Sequence, residues 1–286
     1  MRILVSKVFI FLFLIGAAIA SASSSSDCTL QRRNMSLDID YNNQPIIAIG
    51  LPKSGTTSLH AYLKSIHPSI HSGHQELYEE CPSKMFPIPA ITLDDGNSTW
   101  SKISTPDPSF VKNKVCPFAF YIQKAIADGK KPFDYLQEKG LNTFAQLDVI
   151  TYDHPRFPQL DVLDRIIDAY PNAFFIHHIR EVNSHVSSIM RWGTMYERLK
   201  ESGALRNLNQ SNKAKTTQEL LAEWIMWSRE HIRSKFLERP GVRYLEVDLE
   251  AAENMAASSI SIFVGARCIH KVEQKNQNTD HPAPNH

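Results

Sequence analysis

The chain lacks a net charge of either sign: 31 Lys and Arg stand against 30 Asp and Glu, a formal charge of +1. The basic excess of a nucleic-acid binder is therefore missing, and any anion site must be a local arrangement rather than a global field. No apolar run reaches the roughly 20 residues that a spanning helix needs. There is no Cys-x-x-Cys and no close His pair beside Cys28, Cys81, Cys116 or Cys268, so no zinc pattern is present and no metal is expected. Internal repeats are also absent, which excludes a solenoid. What remains is a 286-residue chain with 42% hydrophobic residues, enough for one large domain or two small ones around a real core.

The N-terminus reads as a targeting segment. Arg2 and Lys7 precede an uninterrupted apolar run from Val8 to Ala20, and small residues follow at Ala20-Ser21-Ala22-Ser23. This pattern predicts a signal peptide or signal anchor over residues 1–22, with membrane association only if the anchor is retained. Either way the rest of the chain is expected in the secretory pathway, in the Golgi lumen or secreted. The sequons Asn34-Met35-Ser36, Asn97-Ser98-Thr99 and Asn209-Gln210-Ser211 agree with that compartment. There, four cysteines allow two disulfides in three pairings.

Residues 23–44 are polar and Ser-rich, as in a stem or linker, and the folded domain is predicted over 45–270 with a polar tail over 271–286. Ile46 to Ile49 is a short apolar run ended by Gly50, the pattern of a strand buried on both faces. Leu59, Tyr62, Leu63 and Ile66 then share a helical face, and His67-Pro68 stops that helix. A Pro- and Ser-dense excursion covers 82–117. A second strand is predicted over Phe144–Ile150, a helix over Leu160–Tyr170, a strand over Ala173–Ile179 and a helix from Val182 to Arg191. A long helix over Thr217–Leu237, a strand over Val242–Val247 and a helix over Ala251–Phe263 follow. Strands alternating with helices predict an α/β three-layer sandwich around a parallel sheet.

The most informative segment is Gly50-Leu51-Pro52-Lys53-Ser54-Gly55-Thr56-Thr57-Ser58, between that first strand and helix. Such a loop presents backbone N–H groups at a helix N-terminus, where the dipole also favours an anion. Its spacing is close to the nucleoside-triphosphate loop Gly-x4-Gly-Lys-[Ser/Thr], but Thr56 follows Gly55 where that pattern needs Lys, and the lysine sits earlier at Lys53. Pro52-Lys53-Ser54-Gly55-Thr56-Thr57-Ser58-Leu59 after a strand resembles the 5′-phosphosulfate loop of sulfotransferases that use 3′-phosphoadenosine-5′-phosphosulfate (PAPS). The resemblance implies a P-loop-like sulfotransferase fold, with Lys53, Ser54, Gly55, Thr56, Thr57 and Ser58 around the 5′ end of the donor and no metal in the reaction. It also implies an Arg at the end of a later strand and a Ser eight positions on, both for the 3′-phosphate; Arg180 and Ser188 match. Leu147-Asp148-Val149, Asp153-His154-Pro155, Tyr170-Pro171-Asn172-Ala173 and Trp192 resemble one branch of the same superfamily.

Sulfuryl transfer makes demands like those of phosphoryl transfer, and Lys53 suits the charge that grows on the bridging oxygen. The resemblance points to Glu76 as the base that takes the acceptor proton, with His74, His71 and Asp148 as rivals. The Arg-Lys-Gly loop of cytosolic members is not visible, and Arg267 or Lys271 is a candidate to substitute for it. The expected acceptor is a glycan hydroxyl, with a protein tyrosine or a small alcohol as the alternatives. Two other readings are a kinase-like nucleotide enzyme and a non-catalytic luminal glycan-binding protein that keeps the fold.

Overall fold

The computed structural model describes residues 39–105, 108–151, 155–201, 204–205, 215–250 and 255–266. The targeting segment, most of the linker, Cys28, Cys268, two of the three sequons, Arg267, Lys271 and the polar tail lie outside the described residues.

The apolar run after Pro45 forms β1 (Ile46–Ala48), and α1 (Thr56–Ile66) follows across the Gly-containing loop. Short strands β2 (Ser72–Gly73) and β3 (Glu76–Leu77) come next. The excursion carries its own hairpin, β4 (Ile91–Thr92) with β5 (Thr99–Trp100), then α2 (Pro108–Asn113) and β6 (Cys116–Pro117), which returns antiparallel to β3. A Cys81–Cys116 disulfide closes this excursion at its base. Asn97 lies exposed in the hairpin turn.

The chain then packs α3 (Phe118–Ala127) and α4 (Asp134–Gln137) and returns to the sheet as β7 (Thr143–Phe144). Helical periodicity does not reveal α3, because Phe118-Ala119-Phe120-Tyr121-Ile122 is buried all round rather than along one stripe. The strand expected over 144–150 pairs with the main sheet only at its start, through Thr143 and Phe144, and Val149 makes an isolated antiparallel bridge to Arg156. Beyond Ala145 the polar side chains of Gln146 and Asp148 find partners off the ladder, so the backbone leaves the sheet.

The expected helix over 160–170 is two: α5 (Pro158–Asp161) and α6 (Leu163–Ala169), separated by Val162 at φ −137°. Asp161 holds the break. Its carboxylate accepts from Trp100 Nε1 and Phe157 N, and its carbonyl accepts from Asp94 N. The remaining elements are β8 (Phe174–Ile179), α7 (Val182–Met190), α8 (Met195–Glu201), α9 (Thr217–Leu237), β9 (Arg243–Asp248) and α10 (Met255–Phe263). Helix α9 opens on a reciprocal capping box between Thr216 and Glu219, which satisfies two amides that the first turn leaves without partners.

The main sheet is parallel throughout, in the order β2-β7-β1-β8-β9. Alternation along the strands divides the core. Ile46, Ala48, Phe174 and Ile176 pack against Leu59 and Leu63 of α1 and Ala257 and Ile260 of α10. Ile47, Ile49 and Phe175 pack on the other face against α3, α6 and α9. The chain is therefore the expected α/β three-layer sandwich. It joins the fold earlier than Pro45: Tyr41 is 3% exposed and donates to the Val264 carbonyl at 2.7 Å.

From β1 the chain moves toward β7 and β2, whereas β8 and β9 lie on the other side of β1. The C-terminal ends of β1 and β8 thus flank the point where the strand order reverses, which is where open α/β sheets bind ligands.

Candidate active site

A cavity of about 350 Å³ opens at that point, within the ordinary range for small-molecule sites. Pro52, Lys53, Gly55, Thr56, Thr57 and Ser58 line it from the β1–α1 loop, and Arg180 and Ser188 from the end of β8 and from α7. His74, Gln75 and Gln146 close one side; Ile150, Trp192, Met195 and Arg198 close the other. The two anion-binding groups expected from the sequence thus share one cavity.

The loop is shaped by close packing. A Cβ on Gly50 would fall 2.4 Å from the His178 ring, so only glycine lets β1 run this close to β8. Gly55 sits at φ 104°, a left-handed conformation that favours glycine, and as the residue that opens α1 it makes no side-chain cap. Lys53 also has a positive φ, 67°. Its ammonium lies 3.5 Å from the centroid of the Trp192 ring, a cation–π contact. Burial, with the charges of Arg180 and Arg191 nearby, brings its pKa down to about 8. An arriving anion would reverse that shift.

Ser54 behaves differently from its neighbours. It is buried, and its hydroxyl donates to the Leu51 carbonyl at 2.5 Å, so it braces the loop and does not line the cavity. The Thr56 hydroxyl donates to Gln146 Oε1 at 2.7 Å.

Arg180 is held from two sides. Its Nη2 pairs with Glu250 at 2.7 Å, and its carbonyl accepts from Arg229. Its Nε is buried and makes no hydrogen bond to any described residue. A guanidinium with an unused buried donor suits an anion, because a phosphate oxygen can accept there. Ser188, 2% exposed, stands two helical turns along. His185 ties the two sides together: it is fully buried, its pKa is brought down to about 4 mainly by burial, and its Nε2 donates to the Pro52 carbonyl at 2.7 Å.

The residues weighed as proton acceptors separate in space. His74 faces the cavity with Nε2 3.2 Å from Thr56 Oγ1, and burial with His60 nearby lowers its pKa to about 4, so it is neutral at pH 7. Glu76 lies two residues on, half-buried on β3, outside the cavity lining, its carboxyl pushed up by burial. His71 is exposed at Gly140. Asp148 is fully buried behind Gln146, and burial raises its pKa to about 6.

Sequence reasoning missed Gln75, Gln146, Ile150, Met195 and Arg198. Gln146 had a usable signal, since it follows the β7 strand at the same sheet end as the loop. Met195 and Arg198 had none, because α8 shows no clear apolar stripe.

A family model described as "Sulfotransferase family" matches residues 45–247. No curated protein matches the chain.

Proposed function

The chain belongs to the sulfotransferase family, and from that premise we propose that it transfers the sulfuryl group of PAPS to a glycan hydroxyl in the cavity between β1 and β8. The observation that carries this reading is the convergence of Lys53 and Arg180 on one cavity, close enough for the guanidinium to depress the lysine's pKa.

In this reading the N-terminus of α1, with Thr57 and Ser58, holds the 5′-phosphosulfate. Arg180 and Ser188 hold the 3′-phosphate, the Arg180 Nε supplying the unused donor. His74 is the favoured proton acceptor because it lines the cavity and is neutral at pH 7; Glu76 is the alternative. The acceptor oxygen forms a bond to sulfur as the bond from sulfur to the 5′-phosphate oxygen breaks. His74 takes the acceptor's proton, and Lys53 meets the charge on the departing oxygen. The glycan assignment and a secretory location rest on the N-terminal pattern and the exposed sequon at Asn97.

The test is incubation of the purified chain with ³⁵S-labelled PAPS and a panel of glycans, tyrosine peptides and small alcohols. Label is expected on a glycan. Label on none of them, with no binding of 3′-phosphoadenosine-5′-phosphate (PAP), would refute the proposal in favour of a non-catalytic member.

A further inference from the structure

We propose that the buried carboxylate of Asp148 sets the tautomer of His74 through Gln146 and Thr56, making Asp148 a positioning residue for proton transfer in the cavity. The chemical consequence rests on the sulfotransferase reading above; the hydrogen-bond logic does not.

Four side chains form a relay whose direction is fixed at its buried end. Asp148 is 0% exposed. Its Oδ2 lies 3.0 Å from Gln146 Nε2 and its Oδ1 lies 3.2 Å from Gln159 Nε2. Although burial raises its pKa to about 6, the carboxyl is ionised at pH 7 and can only accept. Both glutamines must therefore turn their NH2 groups toward it. Gln159 is pinned further, because the same nitrogen donates to the Gly50 carbonyl at 3.3 Å.

With its NH2 committed to Asp148, Gln146 turns its carbonyl to Thr56. The 2.7 Å contact there obliges the Thr56 hydroxyl to donate. Thr56 Oγ1 then has only lone pairs for His74 Nε2 at 3.2 Å, so Nε2 carries the ring proton. The basic lone pair of the neutral imidazole is left on Nδ1. In the proposed reaction Nδ1 receives the acceptor's proton as the oxygen–sulfur bond forms, and the relay stabilises the resulting imidazolium through Nε2.

The relay makes an unusual demand on Asp148→Asn. Gln159, held by the Gly50 carbonyl, keeps presenting its NH2, so the new amide must turn its oxygen to Gln159 and its NH2 to Gln146. Gln146 then inverts, Thr56 donates to His74, and the ring proton moves to Nδ1. A residue with a merely structural role would not move a proton between ring nitrogens.

The experiment is a long-range ¹H–¹⁵N correlation spectrum at pH 7 of the full chain labelled at histidine, with the His74 signals identified by their loss in His74→Asn. The wild type is expected to show His74 protonated at Nε2, and Asp148→Asn to show it protonated at Nδ1. Turnover should fall about 10- to 100-fold in Asp148→Asn, the usual range for such supporting groups, with PAP affinity kept within about twofold. Should Asp148→Asn not fold, Thr56→Val cuts the relay and Thr56→Ser keeps it. The serine variant should retain the Nε2 proton, and the valine variant should mix the tautomers. A wild type protonated at Nδ1, or an Asp148→Asn or Thr56→Val chain in which the Nε2 signal is unchanged, would overturn the proposal. A wild type with the expected tautomer that binds no PAP would instead overturn the reading of the cavity and leave the relay standing.

Discussion

The two strand-to-helix junctions that meet at the cavity are built on opposite plans. After β1 the chain turns through glycines, and α1 begins at Gly55, a cap residue that makes no side-chain cap. After β8 the next helix is stoppered by its own residue: Glu181 accepts from Asn183 N at 2.8 Å and Ser184 N at 2.7 Å. The first junction therefore offers backbone and helix dipole to an anion, with a lysine that can lose its proton near pH 8. The second has two of its backbone donors on Glu181, and under the proposed function it binds through side chains, namely Arg180 and Ser188. A backbone cradle suits the end of a ligand whose charge changes during reaction, because it is rigid and costs nothing to reorganise. A permanently charged guanidinium suits a phosphate that is only gripped.

That contrast can be broken most severely at Lys53. Lys53→Ala should cut turnover by about 10²- to 10³-fold, the scale for losing one donor to developing charge, with PAP affinity changed far less. Steady-state rates beside calorimetric titrations separate the two quantities. The same lysine gives the junctions a different pH response. An anion raises a depressed lysine pKa, so Lys53 should take up about half a proton per PAP bound at pH 8, where the phosphates of PAP are already deprotonated. Calorimetry in buffers of different ionisation enthalpy reads this uptake, which should vanish in Lys53→Met. The smallest expected effect is at Glu181. Glu181→Ala removes the stopper from α7 and should cost about 1 kcal/mol of stability in urea denaturation. It should leave PAP binding within a few fold, because no amide of that helix is assigned to the donor. A large loss of binding there would place Glu181 in the site and erase the distinction.

Both junctions were legible in the sequence because each joins an apolar run to a helix across a few residues with distinctive side chains. Lys53, Gly55, Arg180 and Ser188 could be named before any coordinates, and α9 occupies Thr217–Leu237 as its periodicity implied. The far wall of the cavity was not legible. Gln146 and Asp148 sit in an apolar stretch that reads as strand, yet their need for buried partners takes the backbone off the ladder after Phe144. The break at Val162 is likewise a tertiary effect, set by the ties of Asp161 to Trp100 and Phe157. Helix α3 hides for another reason: a helix buried all round has no amphipathic stripe to detect. Of the three disulfide pairings that four cysteines allow, Cys81–Cys116 became visible only once the excursion was seen to close on itself.

One titration bears most directly on whether both junctions serve a single nucleotide: the affinity of PAP against that of adenosine 5′-monophosphate, which lacks the 3′-phosphate, in wild type, Arg180→Ala and Lys53→Ala. Wild type and Lys53→Ala are expected to prefer PAP by about 100-fold, the worth of a charge-assisted phosphate contact. In Arg180→Ala that preference should collapse to a few fold. An undiminished preference in Arg180→Ala would contradict the convergence of Lys53 and Arg180 on one donor.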